Sequence, residues 1–337
     1  MPPQLRKLSD QVMVITGASS GIGLATARMA AKQGARLVLA ARSEGALREL
    51  ESEIKAGGGQ AVAVVADIGR LADVMRIART AHDTFGGFDT WVNNAGVGMY
   101  GKLEDVTFEN MRQLFDANFW GVVYGSLEAV KTLKTRGGAL INVGSTAGDR
   151  AIVLQGIYSA SKHAIKGFTD ALRMELEADH APVSVTLIKP GAIDTPFPLN
   201  AKNYLEVEPQ HVPPVYAPET VARAILHAAE HPTRDVFVGA GGKGLAAFGD
   251  LAPGLMDKFE ERDTLPRTEA SGKPPRPRGQ NALERPSEHL AERGDYPGVV
   301  QPVSVYTEAV QRGMVRNVLI AGAGLAALAL WRAARRA

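Results

Sequence analysis

Two side chains four residues apart, Tyr158 and Lys162 in the stretch Y-S-A-S-K, form a pair that can move a proton. On a helix they share one face, one turn apart. A phenol ordinarily ionises at about pH 10. A nearby ammonium favours the phenolate and draws that value toward neutrality. Such a group can give a proton to, or take one from, a substrate oxygen. Ser145, upstream in G-S-T-A-G, adds a hydroxyl able to hydrogen-bond the same oxygen.

The elements before this stretch read as a scaffold that brings a nucleotide to it. The apolar run Val12 to Ile15 is a buried strand. It enters T-G-A-S-S-G-I-G, residues 16–23, and a helical pattern with Leu24, Ala27, Ala30 and Ala31 follows. Gly34 closes that helix, and Arg36 to Ala41 is a second strand, which completes a βαβ unit. Glycines at 17, 21 and 23 permit a tight turn and a close approach to a pyrophosphate, which the helix N-terminus can hold. The spacing is G-x-x-x-G-x-G, and a plain structural turn remains an alternative reading of the loop alone. At the end of the second strand stand Ala41, Arg42 and Ser43, with no carboxylate to take ribose hydroxyls. A guanidinium there suits a 2′-phosphate, which favours NADP(H) over NAD(H). Asp67, ending the third strand, is either an adenine contact or a helix cap.

Further alternation follows: a helix from Leu71 to Phe85, a strand Thr90 to Val92 ending in N-N-A-G, and one long helix over Phe108 to Lys134 that contains Asn118. Strands at Gly138 to Val143, Ser184 to Ile188 and Asp235 to Val238 enclose helices over Tyr158 to His180 and Glu219 to Glu230. This alternation predicts an α/β fold, a parallel sheet with helices on both faces.

With T-G-A-S-S-G-I-G, A-D-I at 66–68, N-N-A-G at 93–96, Asn118, Gly144-Ser145, Y-S-A-S-K and K-P-G-A-I-D-T at 189–195, the chain resembles the short-chain dehydrogenase/reductase family from Leu8 to about Val238. The resemblance implies a Rossmann-type doubly wound parallel sheet of about seven strands flanked by helices, and reversible hydride transfer between NAD(P) and an alcohol or carbonyl. It implies Asn118, Ser145, Tyr158 and Lys162 as the catalytic set, with Tyr158 as general acid/base. Lys162 would hold the nicotinamide ribose, and Asn118 a relay water. Cofactor contacts are expected from Thr16, Gly17, Ser19, Ser20, Gly21, Ile22, Gly23, Arg42, Ser43, Asp67, Ile68, Asn94, Ala95, Gly96, Tyr158, Lys162, Pro190, Gly191, Ile193 and Thr195, with no metal ion needed. It also implies a homodimer or homotetramer.

Residues 195–218 are irregular and carry Phe197, Leu199, Tyr204, Leu205 and Tyr216; the resemblance implies that this segment is the substrate lid, and these side chains either make it an apolar cover or simply pack the loop down. An apolar cover favours a hydrophobic alcohol or ketone as substrate. A 3-oxoacyl-thioester reductase and a non-catalytic nucleotide-sensing scaffold are the alternatives; the complete Asn118, Ser145, Tyr158, Lys162 set speaks against the scaffold. Residues 241–312, rich in Pro, Gly and Arg, read as a largely irregular linker, extended over 262–302. Residues 313–337 hold the apolar run Val318 to Trp331, flanked by arginines, and read as a helix for a membrane surface or a partner. A formal charge of +2 over 337 residues implies no field for nucleic acid. The absence of cysteine excludes disulfides and thiolate catalysis, and the short polar N-terminus lacks an apolar signal core. A cytoplasmic catalytic domain, with or without attachment to a membrane by 313–337, is the expectation.

Overall fold

Seven strands pair in parallel: Val12–Thr16 (β1), Arg36–Ala41 (β2), Ala61–Val65 (β3), Thr90–Asn93 (β4), Gly138–Val143 (β5), Val183–Pro190 (β6) and Asp235–Val238 (β7). Their order across the sheet is β7-β6-β5-β4-β1-β2-β3. The order reverses between β1 and β4, where a doubly wound sheet opens a crevice at the carboxyl ends of its strands. The computed structural model describes residues 3–239, 244, 248–249, 251–277, 279–287 and 290–311. The apolar run 318–331 and most of 241–247 lie outside them. Among the described residues, no helix is long and apolar enough to cross a membrane.

Every residue of β1, β5 and β6 is buried, because helices cover both faces of the sheet. The two-residue strand period still sorts the side chains. Met13, Ile15, Leu37 and Leu39 pack with Gly21–Lys32 (α1), Glu44–Ala56 (α2) and Pro218–Glu230 (α7). Val12, Val14, Val38 and Ala40 pack on the opposite face with Leu71–Phe85 (α3), Gly121–Arg136 (α5) and Gly156–Ala178 (α6).

The long helix expected over 108–134 is two helices. Phe108–Phe115 (α4) passes into a single π turn, Asp116–Trp120, before α5 begins. The wider turn carries Asn118 into the interior, where it is fully buried, and Gly121 lets the chain pass Ile68. A Cβ at Gly121 would lie 2.0 Å from Ile68 Cδ1.

The segment after β7 is irregular, but it is not a free linker. Pro253–Phe259 (α8), a π turn at Glu260–Thr264 and Leu265–Thr268 (α9) line one cleft together with residues at the carboxyl ends of the strands. Val300–Gln301 adds a parallel strand to Val215–Tyr216, which also pairs with Ala192–Ile193. Val305–Gln311 (α10) follows, with Thr307 bonding Phe237 O at 3.1 Å. Polar anchors hold the segment down: Arg276 to Glu208 at 2.6 Å, Arg28 to Glu292 at 2.7 Å and Arg293 to Glu219 at 2.8 Å. Composition alone reads such a stretch as extended, because its holding contacts are long-range ion pairs rather than an apolar period.

Candidate active site

The end of β1 and the end of β4 are tied together by one hydroxyl. Thr16 Oγ1 donates to Val92 O at 3.2 Å and accepts from Asn94 N at 3.0 Å and Ala95 N at 3.1 Å. The Asn94 amide adds a bond to Thr16 O at 2.9 Å, which pins the N-N-A-G turn against the glycine loop. Gly17 turns the chain with φ 67°, and Gly23 sits so close beneath it that a Cβ there would meet Gly17 O at 2.1 Å. Thr16 and Gly23 therefore shape the loop from behind rather than line the groove in front of it. Asn93 is structural: its amide donates to Asn142 Oδ1 at 2.9 Å and Ser126 Oγ at 3.1 Å, inside the core.

In front of the loop lies a cavity of about 200 Å³. Gly17, Ser19, Ser20, Gly21 and Ile22 form its floor, with Ala41, Arg42 and Ser43 at one end. Asp67 and Ile68, from the end of β3, and Asn94, Ala95 and Gly96 complete it. Asp67 also accepts from Gly69 N at 3.0 Å, so the carboxylate caps its turn as well as facing the cavity. The Arg42 guanidinium donates to Ala282 O, from the C-terminal extension.

Ile22, Asn94, Gly96, Thr195 and Phe197 line this cavity and also a second one, so the two run into each other. The second is a cleft of about 480 Å³ floored by Ser145, Tyr158 and Lys162, with Pro190, Gly191 and Ile193 on one side. Ser145 has extended backbone and opens a 3-10 turn, where its Oγ accepts from Ala147 N at 3.1 Å. Lys162 Nζ donates to Val143 O at 3.2 Å and lies 5.6 Å from the centre of the Tyr158 ring. Asn118 does not line the cleft. It bonds both Val97 N, at 2.8 Å, and Val97 O, at 3.0 Å, and donates to Ser161 Oγ at 3.3 Å. Its carboxamide lies behind Gly96: a Cβ there would be 3.2 Å from Asn118 Oδ1 and 3.7 Å from Lys162 Nζ.

The electrostatics differ from the sequence expectation. Burial pushes the Tyr158 phenol up to about 12 rather than down toward neutrality, while its hydrogen bond with Ser145 pulls the other way. Burial also brings Lys162 down to about 8. The site at neutral pH therefore holds a protonated phenol beside a charged but readily discharged ammonium. Tyr100, also in the cleft and bonded to Gln155, is pushed up as well by burial and by Tyr158.

Phe197 of the expected lid packs on Tyr158, ring centres 5.4 Å apart. The lid does not close the cleft alone. Met256, Phe259, Glu260, Asp263, Thr264 and Arg267 from the extension also line it. They are anchored to the loop after β5 by Arg150 with Asp257 and by Val153 N to Glu260 at 3.4 Å. On the lid side, Gln210 N donates to Thr268 O at 3.1 Å. Sequence reading missed these residues; their one signal is the apolar pair Met256 and Phe259 at helical spacing.

Residues 11–203 match the model of the short chain dehydrogenase family. An uncharacterized oxidoreductase of Bacillus subtilis (strain 168), YxnA, is 50% identical over 336 residues, 99% of this chain and 93% of its own. That alignment runs through the C-terminal extension. A ketoacyl reductase of Nostoc sp., HetN, is 27% identical across 75% of this chain and 88% of its own. Among solved structures, a short chain dehydrogenase/reductase from Burkholderia phymatum in complex with NAD superposes with a TM-score of 0.68 at 25% identity, covering 74% of this chain and 96% of its own. An alcohol dehydrogenase from Thermococcus sibiricus complexed with 5-hydroxy-NADP gives 0.60 at 26% identity, covering 67% and 95%.

Proposed function

The chain belongs to the short-chain dehydrogenase/reductase family of oxidoreductases, and from that premise we propose that it interconverts an alcohol and a ketone or aldehyde with NADP(H), on a substrate with an apolar body. The observation that carries the reading is the continuous groove from Arg42 past the glycine loop to Ser145, Tyr158 and Lys162. The groove fits a dinucleotide: Gly17, Ser19, Ser20, Gly21 and Ile22 line it at the N-terminus of α1, and Gly17 has to be glycine for the loop to pack on the N-N-A-G turn, since a Cβ there would fall 2.8 Å from Ala95 Cα. When bound, the cofactor supplies the hydride. Thr195 and Ile193 hold its nicotinamide end, Asn94 to Gly96 border the ribose and Arg42 faces the 2′ position. Ser145 bonds the substrate oxygen and Tyr158 gives it a proton in reduction. Lys162 stabilises the phenolate that remains, while Asn118 holds the Val97 backbone and a water path behind Gly96.

Cofactor choice rests on Arg42. Arg42→Ala is expected to raise the KM for NADPH by about tenfold or more and to change that for NADH little. Steady-state kinetics with both cofactors check it, and equal losses would refute the assignment.

Apolar side chains such as Tyr100, Ile152, Val212, Met256 and Phe259 line the cleft and support a hydrophobic substrate. The likeness to ketoacyl reductases favours a second reading, a 3-oxoacyl-thioester reductase. NADPH oxidation against a panel of ketones, aldehydes and 3-oxoacyl thioesters separates the two; no oxidation with any of them would sink both.

Assembly into a homodimer or homotetramer is supported by apolar side chains exposed on the π turn, α5 and α6: Trp120 at 44%, Leu127 at 49% and Met174 at 57%. Light scattering on the eluting protein is expected to give at least twice the chain mass, and Trp120→Glu to lower it; a monomer at micromolar concentration would contradict this.

A further inference from the structure

The C-terminal extension reaches the nucleotide end of the groove as well as the substrate end. Two stretches, 281–287 and 290–295, lie across it. Ala282 N bonds Asn200 O at 2.6 Å, Ala282 O takes the Arg42 guanidinium, and Ala282, Pro286 and Ser287 line the nucleotide cavity. Ala291 pairs with Ser20, and its carbonyl accepts the Gly21 N–H at 2.8 Å. Beyond it, Glu292 meets Arg28 at 2.7 Å, and Arg293 meets Glu219 at 2.8 Å and Asp194 at 3.7 Å. Gly294 N donates to Asp194 Oδ1 at 3.2 Å, where the chain passes so close to Thr195 that a Cβ would lie 2.6 Å from its carbonyl.

The two donors taken by this chain are the ones a dinucleotide needs. Gly21 N–H belongs to the first turn of α1, which a pyrophosphate would use, and Arg42 is the cation at the end of β2. A backbone N–H serves one good acceptor at a time. A carbonyl oxygen and a phosphate oxygen are both acceptors, so they compete for it. At Arg42 the competition is also one of charge. The negative end of the Ala282 carbonyl dipole opposes a 2′-phosphate, whereas a 2′-hydroxyl could donate to it.

Resting on the cofactor reading above, we infer that residues 281–287 and 290–295 are an intramolecular competitor for the phosphate donors of the nucleotide site. Their docking sets both the affinity for the cofactor and the margin between NADPH and NADH. The apparent affinity is the intrinsic one reduced by the fraction of molecules with the donors free. Arg42 is thus necessary for NADPH preference but does not fix its size.

The test uses the full-length chain and dinucleotide binding rather than turnover. Two loosening variants leave the lining residues in place: Glu292→Gln with Arg293→Ala, which removes the ion pairs with Arg28, Glu219 and Asp194, and Glu284→Gln, which removes the ion pair with Lys202 on the other flank. Each is titrated with NADPH and with NADH, followed by nicotinamide fluorescence. The expected result is a Kd for NADPH lower by about fivefold in the double variant, a smaller gain in Glu284→Gln, and a lesser gain for NADH in both. Unchanged or weaker NADPH binding in both variants, with the wild type binding normally, would overturn the competition and leave the cofactor reading standing. Failure of every form to bind either dinucleotide would overturn the cofactor reading and this inference with it.

Discussion

Tyr158→Phe is expected to lower kcat by about a thousandfold while NADPH binds within about twofold of wild type. The ring is buried and packed against Phe197, and phenylalanine keeps that packing. The substitution removes only the hydroxyl, and with it the proton that the substrate oxygen needs. Single-turnover kinetics on NADPH-loaded protein check the chemical step, and fluorescence titration checks binding. Turnover within tenfold of wild type would sink the role of Tyr158. A pH profile of kcat/KM in the reductive direction tests the same pair. The phenol, pushed up to about 12, stays protonated through the neutral range. Lys162, brought down to about 8, is charged below that pH and loses its charge above it. The phenolate left after proton transfer is then without its counter-charge. Reduction should therefore hold level on the acid side of about pH 8 and fall on the alkaline side, and a profile flat to pH 9.5 would contradict that sign.

Gly23→Ala is expected to weaken NADPH and NADH alike by about a hundredfold and to cost on the order of 3 kcal/mol of stability. The added methyl would stand 2.1 Å from Gly17 O, which is backbone, and 2.6 Å from Asn94 Nδ2, which is held by its bond to Thr16 O. Asn94 is held by Thr16, so a shift there moves the turn that borders the ribose. Gly45→Ala in the exposed first turn of α2 is the control: nothing lies within 4 Å of its Cβ, and the loss of unfolded-chain freedom should leave stability equal or slightly higher. Denaturant unfolding and dinucleotide titration of both variants decide the matter. Normal binding by Gly23→Ala would show that the loop tolerates a side chain against Gly17.

The candidate site was legible in the chain because its parts are short and local. The four-residue step from Tyr158 to Lys162 puts both on one face of α6 once that helix forms, and the strand–loop–helix at Thr16 to Gly23 follows from an apolar run meeting glycines. The parallel sheet followed from alternation, since both of its faces had to be covered. The place of Asn118 was less legible. A sequence shows helical residues on both sides of it but not the π turn that swings it inward, where the chain passes Ile68, from the loop after β3, at Gly121, a contact no local pattern announces.

By itself, then, the sequence determined the fold class, through local periods, and the oxidoreductase family, through motifs that resemble the family's, and it named the residues for which hydride-transfer roles are proposed. Tertiary structure alone decided the state of Tyr158, because the burial that pushes its phenol up is set by every neighbour at once and not by the spacing to one lysine. It alone decided the walls of the site too. The extension closes the substrate cleft through Met256 and Phe259 and takes up Arg42 and Gly21 through Ala282 and Ala291. Those contacts join residues some 240 to 270 positions apart through backbone carbonyls, which every residue carries and no side-chain pattern announces.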